Sequence, residues 1–549
     1  MKRTVSLFLF IFALSVVFVA GQGKPSTPNK LWREADDAAL QQRQLERVII
    51  PNAYRAFTLD KTALKNVLRK APLEFTEAAR NNSEEITIPM PDGTFARFSI
   101  EESPIVESGL AAKYPEIKTY RGRGIDDPTL SARFDFLPKG FHGIIFSSKG
   151  TILVDPYAVG DTGNYISYYK HEVERTGEFA CRFKDEVEQL PSALGFAPDA
   201  PSVGSGTNLR TYRLALAATA EYTDVFRVAG DTNAQAKARA LSEMIIIMNR
   251  VNGVYERDVA IRMILVNNQD SIIYTDSATD PYTNENGSAM LGQNQANLDS
   301  VIGDANYDIG HVFSTGGGGI AGLGVPCRSN LKARGVTGSP YPIGDPFSID
   351  YVAHEIGHQF GAHHTFNTGA GSCGAQRTAG AAYEPGSGIT IMAYAGLCGS
   401  QNLALNSIDT FHVKSIEQIV QYSTSGLGNG CSVSTATGNA LPEVSVESGF
   451  NLPKQTPFYL TATASDANND PLTYDWQQYD LGAASMSAAG NSDADGQERP
   501  LFRPYLPTTE ATRMFPSKQF ILNNANVPPT STGGRLTGEI LPSMTRTML

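Results

Sequence analysis

What this chain lacks narrows it first. Beyond Lys2 and Arg3 there is no basic run, and the formal net charge of the 549 residues is -11. Phosphate binding needs clustered Lys and Arg, so nucleic acid is excluded as a partner. After residue 20 no apolar stretch is long enough to cross a bilayer. Internal repeats are missing. Cysteines number five and histidines eight. The composition, 41% hydrophobic and 18% charged, is that of globular protein, and the length suits roughly three or four domains.

The one long apolar run opens the chain. "MKRTVSLFLFIFALSVVFVAGQG" has a positive start, an almost unbroken apolar stretch over 5–20 and small residues at Ala20 and Gly21. That is a secretory signal peptide, 1–21, rather than a spanning helix. The mature protein is expected to be secreted, extracellular and without a membrane span. Cysteines pair in that compartment. An odd count predicts two bridges and one thiol with another task. Cys327, Cys373, Cys398 and Cys431 lie together, and Cys181 stands alone upstream.

Three regions follow. In the first, "GFHGIIFSSKGTILVDPY" (140–157) reads as two apolar strands around a Ser-Ser-Lys-Gly turn. "LGFAPDAPSVGSGTNL" (194–209) is a Gly-, Pro- and Ser-rich linker, exposed and easily cut. The second region runs strand, helix, strand, strand. A strand over 210–223 shows Tyr212, Leu214 and Leu216 in alternation. A helix capped by Thr232 or Asp231 carries Ala234, Ala238, Leu241, Ile245 and Met248 at helical spacing. Strands follow at 259–266 and 307–315. That order predicts an α/β layer on a mostly parallel sheet. In the third region, "FYLTATASDANNDPLTYDWQQY" (458–479) reads as a hairpin of a β-sandwich. The chain stops at "GEILPSMTRTML", as though a β-domain were cut short.

Half of the eight histidines lie in "HEIGHQFGAHH" (354–364). A helix starting at Ser348 or Asp350 gathers Ile349, Val352, Ala353, Ile356 and Phe360 on one stripe toward a core. His354 and His358 then share the opposite face, toward a cleft or solvent. Two histidines four residues apart can aim at one ion, and Glu355 is placed to touch a water beside it. Gly361 ends the helix in a left-handed turn, and the chain returns His364 as a third ligand. His363 is read as an exposed or supporting neighbour. Three protein ligands leave a position open for water, the arrangement of a catalytic zinc.

The motif His-Glu-x-x-His-x-x-Gly-x-x-His resembles the zinc signature of the metzincin clan of metallopeptidases. "GITIMAYAGLC" (388–398) is similar to that clan's Met-turn, with Met392 under the histidines. Residues 206–435 resemble its reprolysin-like group most, although Thr365 stands where that group usually has Asp. The fold expected is multidomain: an α/β metzincin catalytic domain (206–435) after a β-rich propeptide (22–205) and before a partial β-sandwich, 436–549, similar to the PKD-like and Ig-like modules of secreted bacterial enzymes. The resemblance implies one catalytic Zn2+ and a polypeptide substrate. It leaves room for Ca2+ without placing its ligands, and it leaves the oligomeric state unknown. The zinc would polarise a water, and Glu355 would take the water's proton and pass it to the leaving amine.

Four further expectations accompany the resemblance. Gly322 and Gly324 would lie by an exposed edge strand where substrate adds as a strand. Tyr394, two residues after Met392, is read as packing; in related metzincins a tyrosine at that spacing reaches the zinc or the tetrahedral intermediate. A Cys373–Cys398 bridge would tie the segment between third ligand and Met-turn, leaving Cys327 with Cys431, one of three connectivities. Cys181 would occupy the position water needs on zinc, as a latency switch. The rival reading is an extracellular binding or adhesion protein whose metzincin domain is inactive.

Overall fold

The computed structural model describes residues 31–81, 84–173, 181, 204–447, 449–482, 499–524 and 536–541. The expected signal peptide, most of the expected linker and the chain's last residues lie outside these.

The first region is a nine-stranded antiparallel sheet. Its strands are β1 (Trp32–Glu34), β2 (Arg55–Leu59), β3 (Glu84–Pro89), β4 (Phe95–Glu102), β5 (Thr119–Gly124), β6 (Ser131–Leu137), β7 (Gly140–Phe146), β8 (Ile152–Pro156) and β9 (Asn164–Tyr169). Their order is β1-β2-β9-β8-β7-β6-β5-β4-β3. The hairpin read from 140–157 is β7 with β8, in the register Gly143↔Val154 and Ile145↔Ile152.

The second region builds on β10 (Asn208–Ala218), β11 (Ile261–Leu265), β12 (Ile309–Ser314), β13 (Gly319–Ala321), β14 (Gly335–Gly338) and β15 (Val433–Ala436). The sheet order is β11-β10-β12-β14-β13, with β15 also on β10. β10, β11, β12 and β14 pair in parallel. β13, at one end of the sheet, and β15, beside the start of β10, pair antiparallel. The expected mostly parallel sheet with helices is present, and it is mixed.

A 27-residue helix, Asn233–Val259, joins β10 to β11. Thr232 is the residue that caps it, in a reciprocal box with Gln235. The helix packs between the two regions. Its Met244, Ile247, Met248 and Val251 share one core with Ile144, Phe146 and Leu153 of the first sheet. Buried ion pairs cross the same seam: Arg250 with Asp155, Arg133 with Glu256, and Arg262 with Glu74. One continuous core joins the two regions.

The third region is a three-stranded sheet of β16 (Glu443–Val446), β17 (Phe458–Ser465) and β18 (Thr512–Phe515). β17 does not form a hairpin with 472–476; its partners are β16 and the distant β18. The alternation of Phe458, Leu460, Ala462 and Ala464 fixes which face is inward, but not the neighbour. Among the described residues no helix is long and apolar enough to cross a membrane.

Candidate metal centre

The chain enters the site through a wide, π-type turn, Pro346–Ala353, which runs into the α-helix His354–Gln359. The sequence had suggested plain α-helix from Ser348 or Asp350. Ile349, Val352, Ala353, Ile356 and Phe360 are buried as their stripe required. The opposite face is buried as well, with His354, His358 and Glu355 almost wholly hidden. An outward-facing pair toward cleft or solvent is therefore not observed, because Cys181 and Tyr394 roof it.

The helix ends at Gly361, whose φ of 93° is the left-handed turn expected there. The turn returns His364 to the helix. His354 Nε2 lies 3.3 Å from His364 Nε2, and His358 Nε2 lies 3.1 Å from it. His363 points elsewhere, with its Nδ1 3.0 Å from Gln418 Nε2.

Each of the three rings is fixed from behind by a backbone carbonyl. Nδ1 of His354 donates to Ile391 O at 2.7 Å, that of His358 to Ala362 O at 2.7 Å, and that of His364 to Gln376 O at 2.6 Å. A carbonyl only accepts, so in each ring Nδ1 carries the proton. In a neutral ring the lone pair is then on Nε2. Burial and the neighbouring histidines hold His358 and His364 well below the usual histidine range. Three lone pairs facing one another repel unless a cation lies between them. Tetrahedral zinc with nitrogen ligands would set them about 3.3 Å apart. The donor set therefore fits such an ion.

Glu355 is fully buried, and neither oxygen meets a conventional hydrogen-bond donor among the described residues. Burial pushes its carboxyl up to about 8, only partly offset by the Cys181 thiol. Met392 lies beneath the helix. A Cβ on Gly357 would fall 2.4 Å from Met392 Sδ, so the second x of His-Glu-x-x-His must be glycine for the sulfur to fit. Tyr394 packs edge-on against the cluster, its ring centroid 4.6 Å from that of His364, and its hydroxyl donates to Cys181 O at 3.2 Å.

Cys181 Sγ completes the cluster, 3.9 Å from His358 Nε2 and 3.7 Å from His364 Nε2. Its backbone bridges Gly319 of β13 in parallel. That edge strand lies a few residues before the expected Gly322 and Gly324. The amides of both glycines are committed inside the domain, Gly322 N to Arg334 O and Gly324 N to His358 O. The disulfides are Cys373–Cys398 and Cys327–Cys431, the pairing anticipated, and Cys181 takes part in neither bridge.

Sequence reasoning missed Glu384. It accepts from Thr365 Oγ1, Thr390 Oγ1, Ile389 N at 2.7 Å and Thr390 N at 3.0 Å. It thereby ties the residue after His364 to the start of the Met392 turn. Thr365, unusual for the resembled group, is the residue that reaches it.

The three histidines, Glu355, Glu384 and Met392 lie within a single recognisable segment. Residues 208–422 match the model of a family described as Metallo-peptidase family M12B Reprolysin-like. The match takes in all three histidines and Met392. The first and third regions lie outside it. No curated protein matches the chain. Among solved structures the chain is similar to metalloproteinase-II from Bacteroides fragilis, at 15% identity and a TM-score of 0.35, over 65% of this chain and 94% of that one. A likeness so distant says nothing about activity. The metallopeptidase-like region is thus a mixed sheet with helices, set after a separate β-rich region.

Proposed function

We propose that the metallopeptidase-like region is a secreted zinc endopeptidase of the metzincin type, made as a latent precursor. The observation that carries this reading is the convergence of three Nε2 lone pairs, each fixed by a carbonyl behind its ring. His354, His358 and His364 would hold zinc, which when bound supplies a Lewis acid for a water and a scissile carbonyl. Glu355 takes the proton of the attacking water and delivers it to the leaving amine; a carboxyl kept in a dry pocket suits that traffic. Tyr394 would turn its hydroxyl toward the substrate once Cys181 leaves.

Latency rests in this reading on the first region as a propeptide, 22–205. Cys181 would hold the position an attacking water needs, and its backbone bridge to Gly319 sits on the β13 edge where a peptide would add as a strand. The signal peptide, 1–21, sends the chain out of the cell, and the region from 436 binds or spaces.

The deciding experiment measures zinc content and casein cleavage before and after limited proteolysis near residues 195–208. One zinc per chain is expected, with activity appearing on cutting and lost to a chelator. Zinc without cleavage of any polypeptide would favour an inactive domain in a binding protein.

A further inference from the structure

Lys170 follows β9 in the first region, yet its ammonium ends inside the second. Nζ lies 2.9 Å from Asp345 Oδ2 and 2.9 Å from Asp350 Oδ1, and it also pairs with Asp409 Oδ1. All four side chains are buried. Three carboxylates crowd one ammonium in a pocket that Arg250 and Arg257 also influence, through Asp345 and Asp409. Two of its oxygens reflect this. Asp345 Oδ1 and Asp409 Oδ2 are buried and meet no hydrogen-bond donor among the described residues. Ser407 Oγ adds another oxygen, 3.4 Å from the ammonium, and donates to Asp350.

The donor set is oxygen only, and one oxygen from each aspartate falls within 4.8 Å of the others. Hard divalent cations take such sets, whereas nitrogen and sulfur donors suit zinc. Emptying the pocket would take their shared ion-pair partner from three buried carboxylates, which is costly. Release of the first region removes Lys170, so the pocket must then acquire a cation, protonate or collapse.

We propose that Asp345, Asp350 and Asp409 form a Ca2+ site, filled by Lys170 while the first region is in place and by the ion once that region leaves. The exchange rests on the reading of the first region as a removable propeptide. Its position gives the site a role. Asp345 and Asp350 stand at the entry to the His354–Gln359 helix, and Asp409 precedes Thr410, whose carbonyl accepts from Ile391 N. One ion would brace the histidine helix against the Met392 turn from behind, as Lys170 does in the precursor.

The test uses the uncut full chain, with Lys170→Ala vacating the pocket. Thermal midpoints are compared with and without millimolar CaCl2, at constant zinc. The wild-type midpoint should not move, that of Lys170→Ala should rise by several degrees, and adding Asp350→Asn should abolish the rise. An unresponsive Lys170→Ala chain, a response that survives Asp350→Asn, or an equal response in wild type would overturn the site. Should Lys170→Ala fail to fold, equilibrium dialysis of the wild-type chain cut near 195–208 decides. One Ca2+ gained per chain as the first region is released supports the site, and none gained refutes it. Neither readout uses turnover, so failure of the peptidase reading remains a separate result.

Discussion

Cys181 Sγ lies 3.7 Å from His364 Nε2, across 183 positions of sequence. Nothing local brings them together; the thiol arrives as a short parallel bridge on Gly319, held by the Tyr394 hydroxyl on its carbonyl. If this contact maintains latency, Cys181→Ala should free the metal's open position without any cut. The uncut variant should cleave casein on the order of tenfold faster than the uncut wild type, with unchanged zinc content. Equal inactivity would mean that bulk coverage by the first region, and not the thiol, blocks the site.

Glu355 gives a cleaner separation of binding from chemistry. It touches none of the three Nδ1 anchors, so Glu355→Gln should leave zinc content intact. Cleavage by the cut protein should fall by about 10²–10⁴-fold, the range expected when a general acid–base is removed. Substantial turnover in a zinc-loaded Glu355→Gln protein would assign the proton transfer to another group.

The ligand set was legible because its geometry is local: four-residue helical spacing sets His354 over His358, and Gly361 alone accounts for the return of His364. The β7–β8 hairpin was legible for the same reason, since its turn lies within the quoted stretch. Pairings between distant segments were not. β18 lies beyond residue 510, so alternation in β17 could not name it as partner. Lys170 reads as an ordinary surface residue after a strand, and only the folded chain sets it among Asp345, Asp350 and Asp409. The need for glycine at 357 comes from Met392 Sδ, which belongs to a segment thirty-five residues on.

Acid should loosen the second region through His311. Its ring is buried on β12, between Gln359 Oε1 at 2.8 Å and Thr337 Oγ1 at 2.9 Å. Burial lowers it to about 4, with the Gln359 contact only partly offsetting. The unfolded chain takes this proton below the ordinary value of about 6.5, while the fold refuses it until about 4. The histidine's contribution is therefore intact above pH 6.5 and lost as pH falls, by about 2 kcal/mol at pH 5. His412, lowered to about 4 mainly by burial, acts in the same direction. Thermal midpoints at pH 7 and pH 5 should differ less in His311→Gln than in wild type. An identical drop in both would place the acid sensitivity elsewhere.

Glu384 and Thr365 allow a test of how the third ligand is held. One carboxylate receives two hydroxyls and two backbone amides, all buried. Glu384→Ala leaves four donors unsatisfied, and each costs about 1–3 kcal/mol when buried. Relaxation and water will recover part of that, so a loss of about 3 kcal/mol or more is expected. Glu384→Gln keeps an oxygen for the amides and offers an NH2 group that both threonine hydroxyls can accept, so it should cost about 1–2 kcal/mol. Thr365→Ala removes a single donor and should cost about 1 kcal/mol. Because Thr365 follows His364 and Thr390 leads into Met392, zinc affinity should fall in the same order, most in Glu384→Ala and least in Thr365→Ala. Competition against a zinc chelator reads that order directly. Equal zinc affinity across the series, despite lowered stability, would show that Glu384 braces the fold without orienting the ligand.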